Sequence, residues 1–188
     1  LLYSIHISFF MLGLWIVIFT RVISAVLILR FPVLGYLLSI FFDLTDLWIF
    51  EIFNSTFGVH YHIIDKILDM LMFIFAFIVS RKFDILSKNI IRGLFIWRII
   101  GTIIFEVTKV RWIFFIFANI FENFYLFTAI RIKHFPKFSF TKKNAWWILI
   151  LLAIPKLYHE WFLHISGKDM LVYQWTLRQI EKFGLRVQ

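Results

Sequence analysis

The chain is 188 residues long, and 62% of these residues are hydrophobic, with 26 Phe, 8 Trp and a mean hydropathy of +0.87. A water-soluble domain of this length does not bury so much apolar surface, so the composition indicates an integral membrane protein with no room for a separate soluble domain. The absence of Cys excludes disulfides and cysteine nucleophiles, and the net charge of +9 is concentrated in a few connections, which is typical of membrane orientation and not of nucleic-acid binding.

Apolar runs along the whole chain predict an all-α fold, a polytopic membrane helix bundle of about six transmembrane helices in a single domain, residues 1–188. In chain order, the predicted spans are about 5–29, 32–53, 61–79, 90–107, 112–130 and 144–165. Residues 169–188 mix apolar with basic side chains, a pattern that predicts an amphipathic tail helix at the membrane interface.

Two connections between the predicted spans carry much of the positive charge. The basic residues of the third-to-fourth and fifth-to-sixth connections are Arg81, Lys82, Lys88, Arg92, Arg131, Lys133, Lys137, Lys142 and Lys143. The positive-inside rule predicts that both connections are cytoplasmic. The second-to-third connection has no Lys or Arg between Glu51 and Asp65, so the same rule places it on the opposite side.

Four aspartates lie where the second and third spans meet. Asp43 and Asp46 are three residues apart near the end of span two, and Asp65 and Asp69 are four residues apart near the start of span three. A hairpin of these two helices brings both pairs to one membrane level. Carboxylates near hydrocarbon are retained mainly beside a cavity, a counter-ion or a metal, and their oxygens suit Mg²⁺ or Mn²⁺. The pattern therefore indicates a metal site, with helix capping as the structural alternative.

Three further side chains close to these aspartates are candidate metal ligands: Glu51, His60 and His62. Imidazole nitrogen among carboxylates shifts the preference of a site toward Mn²⁺, Fe²⁺ or Zn²⁺. The alternative is that both histidines lie at the membrane interface and bond to water or to backbone groups.

Polar side chains also interrupt the last three spans: Arg98, Glu106, Glu122, Lys156, His159 and Glu160. Such groups inside a helix bundle usually pair with one another, and Lys156 and Glu160 have the four-residue spacing of a helical ion pair. The functional alternative is that Arg98 or Lys156 binds a phosphate or carboxylate headgroup, or that the acids and histidines relay protons.

The residues around the four aspartates resemble a known signature. The stretch DLTDLWIFE at 43–51 is followed, after nine residues, by YHIIDKILD at 61–69. Together they resemble the pattern D-x2-D-G-x2-A-R, eight or nine residues, then G-x3-D-x3-D of the CDP-alcohol phosphatidyltransferase family. All four Asp match in type and spacing. The other signature positions hold Leu47, Phe50, Glu51 and Tyr61 in place of Gly, Ala, Arg and Gly.

The resemblance implies a chemistry for the site. In that family the four aspartates hold two divalent metals, the metals bind the pyrophosphate of a CDP-alcohol, and the last aspartate, here Asp69, is the base that deprotonates the acceptor alcohol. The expected function is then transfer of a phospho-alcohol group in lipid metabolism, with Mg²⁺ or Mn²⁺ as cofactor and membrane lipid as partner. Two other classes stay open: a non-catalytic hydrophobic subunit of a larger membrane complex or homodimer, and an ion or proton pathway.

Overall fold

The computed structural model describes residues 2–52, 61–166 and 178. Among these residues, the regular secondary structure consists of helices, without a strand. The helices are α1 (Leu2–Arg30), α2 (Pro32–Ile52), α3 (Tyr61–Ser80), α4 (Ile85–Thr108), α5 (Trp112–Ile116), α6 (Ile120–His134) and α7 (Lys142–His164). The all-α fold class is therefore confirmed for this part of the chain. The predicted tail helix at 169–188 lies outside the described residues, apart from the helical Arg178.

The described residues divide into two compact units. The first contains residues 2–52 and 61–75, and the second contains residues 76–166. In the first unit, α1 and α2 are consecutive helices that pack closely against each other. The buried residues of α1 recur at helical spacing on one face: Val17, Arg21, Ser24, Ala25 and Ile28. The polar residues on this face are Ser24 and the charged Arg21.

Gly35 sets the close approach between α1 and α2. A Cβ at this position would lie 2.6 Å from the carbonyl carbon of Leu27 and 2.8 Å from the Cα of Ile28. Both are backbone atoms, so they can yield only if the two helices move apart.

We expect Gly35→Ala to lower the free energy of unfolding by about 1–3 kcal/mol, the usual cost of overpacking. The matched control is Gly93→Ala in α4, where a Cβ would meet nothing within 4 Å. The control is expected to stabilise by about 0.5–1 kcal/mol, because alanine restricts the unfolded chain more than glycine does. Thermal unfolding in detergent compares the two variants, and equal melting temperatures would contradict the close packing at Gly35.

The second unit begins with α4, which starts five residues earlier than the predicted span because Asp84 caps it. The Asp84 carboxylate accepts a hydrogen bond from the Ser87 N–H at 3.0 Å. This bond satisfies one of the amide groups that a helix start leaves without a partner. The predicted connection between residues 79 and 90 therefore contains the first turn of a helix.

The predicted fifth span at 112–130 lies in a segment, Trp112–His134, that is apolar enough to cross a membrane, but the chain leaves helical geometry within it, between α5 and α6. Arg98 of α4 donates a hydrogen bond to the Phe117 carbonyl at the break, at 3.2 Å. A Cβ at Gly101 would overlap the Phe117 side chain, so this glycine makes room for the break. The interruption thus depends on a polar side chain and a space that α4 supplies.

The helix α7 contains Pro155, which has no N–H and disturbs the hydrogen bonds of the preceding turn. In that turn the Leu152 carbonyl accepts a hydrogen bond from the Asn123 amide of α6, at 3.1 Å. Neighbouring polar side chains commonly satisfy backbone groups near a proline in apolar helices. The bond also links α6 to α7.

Two helical segments, Leu12–Arg30 and Trp112–His134, are long and apolar enough to cross a membrane. Length and composition alone do not establish six spans among the described residues. Large apolar side chains are nevertheless exposed on every long helix, for example Phe19, Phe41, Ile67, Ile103 and Trp146.

Candidate functional site

The four predicted aspartates meet around one guanidinium group, that of Arg21 in α1. Nη1 of Arg21 lies 3.2 Å from Asp46 and 2.5 Å from Asp65. Nη2 lies 2.7 Å from Asp43 and also pairs with Asp69. Each nitrogen therefore contacts one carboxylate from α2 and one from α3. We call these five side chains the Arg21 cluster.

The helical spacing explains why each pair of aspartates reaches the same group. Residues three or four apart lie on one face of a helix, so Asp43 and Asp46 project together from α2, and Asp65 and Asp69 project together from α3. A planar guanidinium presents several N–H donors in a fixed fork, which suits simultaneous contact with several carboxylates. The cluster therefore joins three helices through one side chain.

The side chains of the Arg21 cluster differ in solvent exposure, from buried to partly exposed. The side chains of Arg21 and Asp46 are 5% and 4% exposed, whereas that of Asp43 is 38% exposed. Asp65 and Asp69 are partly exposed as well. With all groups ionised, the five side chains carry a formal charge of −3. A further cation approaching from the accessible side would be attracted by this excess of negative charge.

The sequence interpretation missed Arg21. The signal was present, because Arg21 is the one charged residue between positions 1 and 29, within a long apolar run. A charged side chain at such a place calls for a partner of opposite charge. The partners are 22 to 48 residues away in sequence, so only the packing of the three helices identifies them.

The donor set of the cluster fits a divalent metal. Ligand atoms from Asp43, Asp46 and Asp65 all lie within 4.8 Å of one another. Three carboxylate oxygens at such separations are typical donors for Mg²⁺ or Mn²⁺. The same three carboxylates pair with Arg21, so a metal ion and the guanidinium compete for them.

The other predicted ligands of this site lie outside what the structure describes. His60 belongs to the connection at 53–60, which is not described, and the side chains of Glu51 and His62 are not described either. Their proposed role as additional metal ligands stays a prediction.

Four of the polar residues predicted in the later spans contact groups within the second unit: Arg98, Glu106, Glu122 and Lys156. Lys156 pairs with Glu122 of α6 at 2.9 Å, a partner outside its own helix, and its predicted pairing with Glu160 stays a prediction. Arg98 contacts the Phe117 carbonyl and lies 4.9 Å from the centre of the Phe114 ring. Glu106 is exposed and pairs with Lys109. His159 is exposed, and Glu160 is buried.

A second ion pair of this unit joins the start of α4 to the end of α6. Arg131 pairs with Asp84 and donates a hydrogen bond to the Ser87 hydroxyl at 3.0 Å. Burial works to raise the pKa of Asp84, but the hydrogen bonds from Ser87 and Arg131 and the Arg131 charge outweigh it, so the pKa of Asp84 is lowered. Asp84 therefore holds its negative charge at neutral pH.

No family model, curated protein or solved structure matches this chain. The geometry and chemistry of its own residues therefore carry the functional argument.

Proposed function

We propose that this chain is a multi-pass membrane protein whose Arg21 cluster binds a divalent cation and serves the transfer of a phospho-alcohol group to an acceptor hydroxyl. The observation that carries the proposal is the convergence of Asp43, Asp46, Asp65 and Asp69 on one small region of α1, α2 and α3. Their spacing is also the part of the CDP-alcohol phosphatidyltransferase signature that this chain retains.

The distribution of polarity supports the membrane location. Charged side chains such as Arg21, Asp46 and Glu160 are buried, while Trp15, Phe19 and many other apolar side chains are exposed. In water such an arrangement would cost free energy twice, because it exposes apolar surface and buries charge. Lipid around the helices removes the first cost, which favours six spans formed by the helical segments.

The cluster would divide the work among its members. Asp43, Asp46 and Asp65 would hold the cation, which when bound neutralises phosphate charge. Asp69 would accept the proton of the acceptor hydroxyl. In the donor, a CDP-alcohol, one bridging oxygen joins the two phosphates. The acceptor oxygen would then bond to the phosphorus on the alcohol side, and the bond from that phosphorus to the bridging oxygen would break. The other phosphate would leave with the nucleoside as a nucleoside monophosphate. Arg21 would pair with a phosphate once a cation took its place among the carboxylates.

Metal binding is the first test. Wild-type protein in detergent is expected to show a rise in melting temperature with millimolar Mn²⁺ or Mg²⁺, and the Asp65→Asn, Asp69→Asn variant should lose this rise. Glu106→Gln is the matched control, since it also exchanges an acid for an amide but lies in the second unit. A rise of equal size in the wild type and the double variant would place any bound metal elsewhere.

Transfer activity is the second test. Protein reconstituted in proteoliposomes would be supplied with a CDP-alcohol and acceptor lipids, and the release of CMP measured with and without Mn²⁺. We expect Asp69→Asn to lower the rate by at least ~10²-fold, the contribution typical of a general base. Metal binding without any transfer would leave the cation site and exclude this reaction for the donors tested.

A second function, that of a non-catalytic subunit in a membrane complex, is favoured by the way Arg21 ties three helices together. An arginine that contacts four carboxylates holds its helices together through ion pairs, without any metal. The exposed apolar side chains can contact a partner protein as well as lipid. This function predicts no metal-dependent stabilisation and co-purification in a complex of fixed composition. The proposed ion or proton pathway stays a prediction that these contacts do not favour.

A further inference from the structure

One end of the second unit concentrates positive charge. The stretches 81–88 and 131–147, which we call the basic end, contain eight basic residues and a single acid, Asp84. That acid pairs with one of the basic residues, Arg131. Six of the others are exposed: Arg81, Lys82, Lys133, Lys137, Lys142 and Lys143.

Contacts between described residues hold these stretches together as one surface. Arg131 joins the end of α6 to the start of α4 through Asp84 and Ser87. Its guanidinium lies 4.6 Å from the centre of the Phe140 ring, in the segment that leads into α7. Asn144 in the first turn of α7 donates to the Ser139 carbonyl at 2.7 Å. These contacts bring the start of α4, the end of α6 and the start of α7 to one surface, which includes the basic residues of both stretches.

Exposed aromatic residues lie beside this charge. Trp146 and Trp147 are 70% and 68% exposed, and each stands one helical turn after a lysine, Lys142 or Lys143. Phe135 and Phe138 are exposed in the preceding connection. Trp rings are enriched at the level of lipid headgroups, where one part of the ring contacts hydrocarbon and the indole N–H contacts water.

We propose that the basic end binds the headgroups of anionic phospholipids in one leaflet. Lysines at this surface would pair with lipid phosphates, and the adjacent Trp and Phe side chains would insert among the first carbons of the acyl chains. An acidic protein surface would match the lysines but would leave Trp146 and Trp147 exposed, so lipid satisfies both features. The inference depends on the proposed membrane location and is independent of the Arg21 cluster.

The opposite end of α4 provides an internal comparison. Its 24 residues extend for roughly 36 Å, about the thickness of the hydrocarbon core, so Lys109 and Arg111 would face the other leaflet. Both residues are exposed. Removing Lys109 and Arg111 is therefore a control for removing Lys142 and Lys143, because the two pairs lie at opposite ends of the second unit.

The experiment measures lipid binding to the full chain in neutral detergent by native mass spectrometry and by thermal unfolding. The probes are short-chain phosphatidylglycerol, short-chain phosphatidylcholine and inorganic phosphate. Removal of one lysine near a membrane surface weakens attraction about fivefold, so Lys142→Gln, Lys143→Gln should lower phosphatidylglycerol affinity on the order of 20-fold. The control Lys109→Gln, Arg111→Gln should change it by less than about threefold, since its residues lie beyond the screening length from the basic end.

Each result decides the proposal. Preferential binding of phosphatidylglycerol that is lost only in the Lys142, Lys143 variant would support it. Equal binding of phosphatidylcholine, an equal loss in the control variant, or stabilisation by inorganic phosphate alone would overturn it. Retention of the wild-type chain in membranes after alkaline extraction tests the membrane location by itself, so its failure is distinguishable from a failure of lipid selectivity.

Discussion

Replacing Arg21 by alanine is expected to lower the free energy of unfolding by about 3–5 kcal/mol, the cost of removing one partner from a buried ion pair. The reason is that four carboxylates would face one another without the cation that all of them contact, and Asp46 would be left buried without this counter-ion. Arg21→Lys should be intermediate, because an ammonium is a single point charge that cannot reach all four acids.

The measurement is thermal or denaturant unfolding of the full chain in detergent, with Arg92→Ala as control. Arg92 is an exposed arginine of α4, so its removal should cost less than about 0.5 kcal/mol. If Arg21→Ala were no more destabilising than Arg92→Ala, the cluster would not hold the three helices together.

The same variant separates the two functions proposed for the cluster. Because Arg21 competes with a metal for Asp43, Asp46 and Asp65, a cation site predicts that Mn²⁺ stabilises Arg21→Ala more than it stabilises the wild type. A purely structural role for the Arg21 cluster, without affinity for metals, predicts no stabilisation of either protein by Mn²⁺. A larger effect on the wild type would mean that Arg21 assists metal binding, contrary to the competition.

Breaking the Lys156–Glu122 pair is expected to cost about 2–3 kcal/mol, somewhat less than the ~3–5 kcal/mol of a fully buried pair. The two side chains are 15% and 18% exposed, so either one left alone would carry a mostly desolvated charge. Lys156→Met and Glu122→Leu should each destabilise the protein. The double variant should recover to within about 1 kcal/mol of the wild type, because apolar pairs of similar volume commonly replace buried ion pairs without loss.

A double-mutant cycle on thermal unfolding measures the coupling directly. The matched control is the exposed pair of Lys109 and Glu106, three residues apart at the C-terminal end of α4, for which we expect a coupling of about 0.3–0.5 kcal/mol. Similar couplings for the two pairs would contradict the burial of Lys156 and Glu122.

The local pattern of the chain was sufficient for the all-α fold class and for the grouping of the acids. Apolar runs and their charged or proline-containing breaks depend on neighbouring residues, so helices appear in the chain without knowledge of their partners. The pairs Asp43 with Asp46 and Asp65 with Asp69 follow from three- and four-residue spacing alone. The charged residues before α4 predict a loop that is longer than the observed one, although Asp84 directly before an apolar run is typical of a helix N-cap.

The partners of the buried charges depend on tertiary packing. Arg21 reaches Asp69, 48 residues away, because α1, α2 and α3 meet at one level. Lys156 likewise reaches Glu122, 34 residues away, because α6 packs against α7. The interruption before α6 likewise requires Arg98 and Gly101 from another helix. Helical spacing determines which side chains share a face of one helix. Only the packing of helices brings two faces together, so the packing determines that Arg21 is the counter-ion of the four aspartates.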